Sequence, residues 1–164
     1  MGYKLKIHLI PSFAYGQNMR SVLKPGDWSM ISTYSRALGV CAGCKRTRDP
    51  SKLEAHEEWD FKNGKQKLKH IVPLCKKCHR SVHIGRATHC GRLESAAKWI
   101  MKVRKISYKK FTKMYEKAWE KRNSLDGEKY RLVTTLDDAW DIVRKDRDWL
   151  EKKIEKDNSK KKKK

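Results

Sequence analysis

Hydrophobic residues near the amino terminus first alternate with polar ones and then recur at helical spacing. Leu5, Ile7 and Leu9 alternate with polar residues within 3–10, which predicts a short strand ended by Pro11. After a turn at 24–27, Asp27 is placed to cap a helix that stops at Gly39. The apolar positions of this predicted helix are Trp28, Ile31, Tyr34 and Leu38.

The carboxy-terminal half of the chain is predicted to be mostly helical. Apolar residues recur every three to four positions in three stretches, 93–103, 108–122 and 136–154. Ser107 is placed to cap the second helix, and Thr135 with Asp138 forms an imperfect capping box before the third. We interpret the apolar faces of these helices as core-packing surfaces.

The central segment predicts a hairpin followed by a short helix. Residues 52–59 and 68–74 are typical of two strands, and Asn63-Gly64 between them favours a tight reversal. The helix after the second strand carries His79 and His83, which lie on one face because they are four residues apart. The predicted fold class is therefore α+β, a small core with flanking helices and a mostly helical carboxy-terminal half.

The charge points to a nucleic-acid partner. The 164 residues include 41 Lys and Arg against 19 Asp and Glu, a formal charge of +22, and such an excess favours polyanions. Basic residues exceed acidic ones by 23 to 8 between 41 and 125, whereas 126–158 is slightly acidic. The five lysines within 159–164 predict a disordered tail, either a solvated end or a non-specific phosphate tether.

Length and hydropathy restrict the organisation of the chain. The length allows one domain, with a flanking strand and helix at 1–40, a metal-binding core at 41–92, a helical extension at 93–158 and the tail at 159–164. Apolar runs of a few residues fall far short of the roughly 20 needed to span a bilayer. The amino terminus has no continuous apolar region typical of a secretory signal. We therefore expect a cytoplasmic location.

Four of the five cysteines form two Cys-x-x-Cys pairs, Cys41 with Cys44 and Cys75 with Cys78. Two such pairs are typical of a structural zinc site, because each tight turn directs two thiolates at one tetrahedral ion. Disulfides are disfavoured by the expected reducing compartment. Cys90 has no partner pair and is expected to be a small buried or inert residue.

Three histidines predict a second metal site. His79 and His83 share a helix face, and His56 in the first predicted strand is expected to converge on them. Three imidazoles leave coordination positions open, which is typical of a catalytic metal site. We expect His8 and His89 to lie at the surface.

These motifs together resemble the HNH nuclease family, in the branch that adds a four-cysteine zinc site to the ββα-metal motif. The resemblance rests on Cys41-x-x-Cys44, Leu53-Glu-Ala-His-Glu and Pro73-Leu-Cys75-x-x-Cys78-His79-x-x-x-His83. Segments 17–23, 84–87 and 91–93 are similar to flanking parts of stand-alone bacterial and phage HNH proteins. The likeness is specific over the motif region and extends more weakly over most of the chain before residue 125.

The resemblance implies a DNA endonuclease or nickase that hydrolyses phosphodiester bonds with one divalent ion, such as Mg²⁺ or Mn²⁺. At matched positions, His56, His79 and His83 correspond to metal ligands. Glu57 stands where the family has a histidine general base, and His70 stands where it has the asparagine that orients the base. The hairpin and helix are implied to straddle the minor groove of DNA.

Several assignments of the general base are open. His56 can act as base with the metal on His79, His83 and either Glu54 or Glu57; Glu57 can be the base; or His70 can take the role across the hairpin. Glu57 points away from His56 in a regular strand, and a carboxylate accepts a proton poorly unless burial raises its pKa. The alternative function is a non-catalytic zinc-stabilised nucleic-acid-binding module, or a subunit of a larger nucleic-acid-processing complex.

Basic residues flank the predicted site and are expected to neutralise DNA phosphates, which gives position more than sequence choice. They are Lys62, Lys65, Lys67, Lys69, Arg80 and Arg86. No motif that reads the major groove is recognisable, so low sequence specificity is expected, on duplex, nicked or branched DNA. The acidic last helix at 136–157 is a candidate docking element for a protein partner.

Overall fold

The structure, a computed structural model, describes residues 2–161 and is a mixed α+β fold. A three-stranded sheet lies between helices and is ordered β1-β2-β3. The strands are β1 (Leu53–Lys62), β2 (Lys65–Cys75) and β3 (Arg131–Leu132). The helices are α1 (Met19–Val22), α2 (Pro25–Arg36), α3 (Lys76–Val82), α4 (Ile84–His89), α5 (Leu93–Arg104), α6 (Tyr108–Leu125) and α7 (Leu136–Lys161).

The predicted hairpin is confirmed, and it contains one irregularity. Asn63 and Gly64 both have positive φ, 52° and 67°, as a tight two-residue hairpin turn requires. Glu58 pairs with His70 whereas the next residue, Trp59, pairs with Leu68, so Lys69 is an extra residue in β2. This bulge shifts the alternation of β2 by one position relative to β1.

The two faces of the hairpin carry two separate cores. Even-numbered residues of β1 share one face with His70, Val72 and Leu74 of β2, and odd-numbered residues share the other with Ile71. The first core contains Val72 and Leu74 with Leu5, Val82 and Ile100. The second core contains Trp59, Phe61 and Ile71 with Ile31 of α2 and Val143 of α7.

The outer edge of β2 is closed by the carboxy-terminal part of the chain. β3 pairs in parallel with Lys65 and Gln66 only. Beyond it, the Leu68 amide donates to Thr134 Oγ1 (2.8 Å) and the Ile71 amide donates to Asp146 Oδ2 (2.8 Å). Side chains from the segment before α7 and from α7 itself therefore satisfy backbone groups that an open edge strand would leave exposed.

The predicted amino-terminal strand is wrong. Tyr3, Leu5 and Ile7 are buried in alternation, as expected, but residues 2–10 form no strand. The segment packs as an extended chain on the first core, and its His8 amide donates to the Val82 carbonyl (3.0 Å) at the end of α3. Alternation reports which side chains are buried and not whether the backbone has a neighbouring strand.

The helix predicted after Asp27 is confirmed with an earlier start. It begins at Pro25, with Lys24 as the N-cap residue. Asp27 therefore lies in the first turn, where its negative charge interacts favourably with the helix dipole. The short helix α1 was not predicted; Asn18 and Ser21 form a reciprocal capping pair around it.

The three carboxy-terminal helices are confirmed together with their caps. Ser107 accepts a hydrogen bond from the Lys110 amide, and Thr135 and Asp138 bond each other's backbone amides. α7 continues through Lys161, so residues 159–161 of the predicted disordered tail are helical, and residues 162–164 lie outside the described residues. None of the helices within 2–161 combines the length and apolar character needed to cross a membrane.

Candidate metal centres

The four paired cysteines converge as predicted. Their sulfurs lie within 4.8 Å of one another, and Cys44 Sγ is 3.9 Å from Cys75 Sγ. Four sulfurs at about 2.3 Å from a tetrahedral zinc ion would be about 3.8 Å apart. All five cysteines are free thiols. The cluster of Cys41, Cys44, Cys75 and Cys78 is therefore compatible with a structural zinc site.

Local backbone geometry explains why these residues form metal-binding turns. Lys45 adopts a left-handed conformation (φ 60°) just after Cys44, and the Cys41 amide donates to the Arg46 carbonyl (3.0 Å), which closes the first turn. A Cβ atom at Gly43 would lie 3.0 Å from Cys78 Sγ. Gly43 is thus needed for close approach of the two cysteine pairs.

The sulfur cluster has the electrostatics of a cation site. Hydrogen bonds with Cys41 and Cys78 lower the pKa of Cys44 to about 2, whereas hydrogen bonds with Cys41 and Cys44 raise the pKa of Cys78. The Cys75 amide and the Trp99 indole N–H each donate to a sulfur at 3.2 Å, to Cys41 and Cys78 respectively. A bound divalent ion would replace the protons that these crowded sulfurs share.

The three predicted histidines also converge. The ligand nitrogens of His56, His79 and His83 lie within 4.8 Å of one another, and their ring centroids are 4.8 to 5.3 Å apart. His79 Nε2 is 3.2 Å from His83 Nε2, close to the about 3.4 Å expected for two imidazoles on one tetrahedral metal. α3 ends at Val82, so His83 reaches the cluster from the position just after the helix. We refer to these three residues as the histidine cluster.

Burial keeps imidazoles of the histidine cluster in the form that binds metals. Desolvation lowers the pKa of His83 to about 3 and lowers the pKa of His56 well below its usual value. His56 Nε2 is buried and has no hydrogen-bond partner among the described residues. A neutral, unpartnered ring nitrogen beside two other imidazoles fits a metal ligand.

Glu54 is placed to orient His79. Its Oε2 accepts a hydrogen bond from His79 Nδ1, so the Nε2 lone pair of His79 is directed at His83. Glu54 contributes no atom to the histidine cluster itself. A carboxylate that holds the far nitrogen of a ligating imidazole is a common feature around metal sites.

Glu57 lies on the opposite face of β1 from His56, as regular alternation predicts. The bulge falls beyond Glu57, between the pairs of Glu58 and Trp59, so it does not change this direction. Glu57 Oε2 accepts a hydrogen bond from the Met19 amide (3.2 Å), and burial raises the pKa of its carboxyl. The carboxylate therefore faces the α1 side of the sheet and not the histidine cluster.

His70 shares a sheet face with His56 but lies outside the histidine cluster. It pairs with Glu58, and its Nδ1 is 2.7 Å from Asp146 Oδ1. The acceptor role of the carboxylate places the proton on Nδ1, which leaves a lone pair on Nε2. Of the three candidate catalytic residues, only His56 belongs to the histidine cluster.

His8 lies at the site, contrary to the expectation of a surface position. Its ring packs edge-on against His56 with centroids 5.7 Å apart, and its Nε2 accepts a hydrogen bond from the Trp59 amide (3.3 Å) beside the bulge. Desolvation lowers the pKa of His8 to about 4. No local motif marks His8, because only the packing of the amino-terminal segment brings it to β1.

The expectations for the exposure of His89 and Cys90 have different outcomes. His89 is exposed, as expected. Cys90 is exposed, so it is not the buried residue that its lack of a partner pair favoured.

Most of the predicted phosphate-binding residues lie on or beside the His56 face. Lys62, Lys65 and Lys67 share that face near the hairpin turn, since Lys62 pairs with Lys65 and Asp60 pairs with Lys67. Lys69 is the bulged residue, and its Nζ lies 4.0 Å from Glu58 Oε1. Arg80 in α3 and Arg86 in α4 are exposed, one residue after His79 and three after His83.

Comparison with known proteins finds no matching family model, no matching curated protein and no matching solved structure.

Proposed function

We propose that the protein is a metal-dependent DNA endonuclease or nickase of the HNH, ββα-metal type, with low intrinsic sequence specificity. The observation that carries the proposal is the histidine cluster: three imidazoles from one hairpin and the helix that follows it converge within 4.8 Å. A separate four-cysteine cluster accounts for a structural ion, so the histidines are left for a second one. Three protein ligands leave room for water and substrate on that ion.

His56, His79 and His83 are the ligands of the proposed catalytic metal, and Glu54 orients His79. A bound divalent ion would supply Lewis acidity at the scissile phosphate. The chain's own contribution is to hold neutral lone pairs at fixed positions. Burial lowers the pKa of His56 and His83, so protons do not compete for these nitrogens at neutral pH.

We assign proton acceptance from the attacking water to His70. Asp146 holds its Nδ1–H at 2.7 Å, which fixes the tautomer with a free lone pair on Nε2, and His70 lies on the His56 face of the sheet. Glu57 is not assigned this role, because its carboxylate faces the opposite side. His56 is not assigned it, because the proposal uses that imidazole as a ligand.

DNA binding is proposed through the basic residues around the histidine cluster. Lys62, Lys65 and Lys67 extend the cluster's sheet face toward the hairpin turn, and Arg80 and Arg86 are exposed beside the helix end. Cations spaced along one face suit successive phosphates and carry no base information. This arrangement agrees with cleavage or nicking that depends little on sequence.

The second candidate function is a zinc-stabilised nucleic-acid-binding module without hydrolysis. It is favoured by Glu57, which stands at the family's general-base position but faces away from the histidine cluster. Docking of a protein partner through α7 has less support, because Ala139, Val143 and Leu150 bury its apolar face in the protein's own cores.

Nicking of supercoiled plasmid by zinc-loaded protein tests the proposal, with Mg²⁺ or Mn²⁺ and with or without EDTA. We expect metal-dependent nicking that His83→Ala lowers by more than about 100-fold, because a ligand is lost. Glu57→Gln is the control, because Glu57 lies on the opposite face of β1 from the histidine cluster, and it should nick close to the wild-type rate. Zinc content and circular dichroism verify that each variant is folded.

Two results would contradict the proposal. Folded, metal-supplemented wild type that binds DNA without nicking it would establish the binding-module alternative. Unchanged nicking by folded His83→Ala would remove the histidine cluster as the site.

A further inference from the structure

A concavity beside the first cysteine pair lies outside the histidine cluster and has no role in the proposed hydrolysis. Its volume is about 250 Å³, and its lining includes Lys45, Arg46, Trp99 and Lys102. No Asp or Glu side chain among the described residues lines it, and the one sulfur in its lining is that of Cys44, a ligand of the proposed zinc site. A concave surface with cations and one indole has the chemistry of an anion site.

The indole of Trp99 holds two cations in place. The Arg46 guanidinium carbon lies 5.5 Å from the ring centroid, and the Lys77 ammonium nitrogen lies 5.3 Å from it. Trp99 is itself fixed, because its N–H donates to Cys78 Sγ at 3.2 Å. Cations stacked on a fixed ring lose less conformational entropy when they bind an anion than free surface side chains do.

These cations have no carboxylate partner. Arg46, Lys77 and Lys102 form no ion pair among residues 2–161, whereas eight other cationic side chains, excluding histidines, do. Lys45 is directed inward, where it donates to the Ala42 carbonyl and lies over the Trp149 ring. Its ammonium group is therefore not available to bind an anion as those of Lys77 and Lys102 are.

The proposed zinc site offsets only part of this charge. Four thiolates on one zinc ion carry about two negative charges, and Lys45 with one further cation balances them. Arg46 and Lys102 line the concavity and Lys77 lies over the same indole, and repulsion among these cations favours an anion between them. Arg46 can bind two oxygens of one phosphate at once, and Lys102 adds a point charge.

We infer that this concavity binds a phosphate group of a nucleic-acid strand. The inference rests on the proposed function, because only a nucleic-acid ligand presents such a group while another part of the strand occupies the histidine cluster. The phosphate is either an internal phosphodiester or a terminal phosphate.

Binding of fluorescein-labelled DNA duplexes, made with and without a 5′-phosphate, tests the inference across a range of salt concentrations. The pocket variant is Arg46→Gln/Lys102→Gln. The control, Lys24→Gln/Lys145→Gln, removes the same charge from two exposed lysines without an ion pair among the described residues. All variants carry His83→Ala and are measured without added Mg²⁺ or Mn²⁺, so the DNA is not cut during the measurement.

We expect the slope of log K against log salt to be less steep by about one in the pocket variant than in the His83→Ala parent, which corresponds to one lost phosphate contact. The control should keep the slope of the parent. A less steep slope with both duplexes identifies an internal phosphodiester. A less steep slope only with the 5′-phosphorylated duplex identifies a terminal phosphate. Equal slopes for the two variants would overturn the inference. Matching zinc content and melting temperature of the variants exclude a folding defect.

The two proposals fail separately. The salt slopes are measured without hydrolysis, so they test the concavity whether or not the protein cuts DNA. Nicking by His83→Ala at the wild-type rate would reject the catalytic site and leave the slope result standing. Equal slopes together with His83-dependent nicking would reject the concavity alone.

Discussion

Burial determines the protonation state of the imidazoles around the proposed catalytic metal. Desolvation lowers the pKa of His83 to about 3 and that of His8 to about 4. It also lowers the pKa of His56 well below its usual value. All three are therefore neutral at pH 7. Of these three, His56 and His83 belong to the histidine cluster, whereas His8 packs beside it with its Nε2 accepting from the Trp59 amide.

The lowered pKa of His8 predicts a dependence of stability on pH. Unfolded His8 binds a proton near pH 6.5 and folded His8 only near pH 4, so the unfolded state binds more protons between these values. The free energy of unfolding therefore falls as the pH is lowered through this window. His8→Gln should remove this contribution while its side-chain oxygen still accepts from the Trp59 amide.

Urea unfolding of wild type and His8→Gln at pH 7.5 and 5.5 measures the effect. Between these pH values we expect wild type to lose about 1 kcal/mol more stability than the variant. The histidines that His8 does not influence, such as His89, contribute equally to both proteins and cancel in the comparison. Equal losses would contradict a buried, neutral His8.

At the scale of secondary-structure elements, the edge of β2 depends on one carboxylate. Asp146 of α7 accepts from the Ile71 amide at 2.8 Å and from His70 Nδ1 at 2.7 Å, and only 8% of its surface is exposed. Both contacts join α7 to a strand edge that β3 covers for two residues only. Asp146 thus connects the last helix to the sheet and orients His70.

Asp146→Asn should destabilise the protein. An amide has one acceptor oxygen, so it cannot accept from both the Ile71 amide and His70 Nδ1–H; either one buried donor loses its partner or His70 moves its proton to Nε2, and both changes cost free energy. We expect a loss of about 1–3 kcal/mol in the free energy of unfolding. Asp148→Asn is the control on the same helix, since Asp148 is exposed. Equal stability of the two variants in urea unfolding would show that the contacts of Asp146 are dispensable.

Periodicity predicted most elements, and its failures have physical causes. α5, α6 and α7 each have a helical stripe of apolar residues with a capping residue nearby, and Asn63-Gly64 marks the turn between β1 and β2; these are local signals. The segment 2–10 has the alternation of a strand, but its backbone hydrogen-bonds to the end of α3 and not to the edge of a strand. Whether a partner strand exists is decided by the rest of the chain.

For the whole molecule, the sheet separates two cores with different supports. The core on the His56 face includes Cys41, Cys75 and Cys78 together with residues of α3 and α5. The core on the other face is built from α2, α7 and, in β1, Trp59 and Phe61, and its members include no cysteine. The proposed zinc ion therefore supports one side of the sheet directly.

Loss of zinc should act unevenly across the molecule. We expect Cys78→Ser to lower the bound zinc and the melting temperature, because three thiolates hold the ion less tightly and the first core loses its crosslink. Hydrogen exchange should increase more in α3 and α5 than in α2. Cys90→Ser, at an exposed cysteine outside the cluster, is the control and should retain zinc and stability. Identical zinc content and melting temperature in the two variants would contradict a structural role for the cluster.

The candidate site was predictable where its signal is local in the chain. The spacing of the cysteine pairs and of His79 and His83 indicated two metal clusters, and regular alternation predicted the direction of Glu57. His8 was not predictable, because 51 residues separate it from Trp59. The pairing of His70 with Asp146 spans 76 residues and left no pattern in either segment.

The sequence by itself determined the type of most elements, the two sets of metal-binding residues and the excess of positive charge, since each follows from residues close together along the chain. Tertiary structure decided the relative facing of the two parts of β2, because the extra residue Lys69 shifts the alternation of that strand. It also decided that His8 packs against His56, that Arg46 and Lys77 stack on Trp99, and that Lys102 lines the same concavity, all three cations without an ion pair among residues 2–161. These features arise from contacts between distant segments, and packing of the whole chain is what brings those segments together.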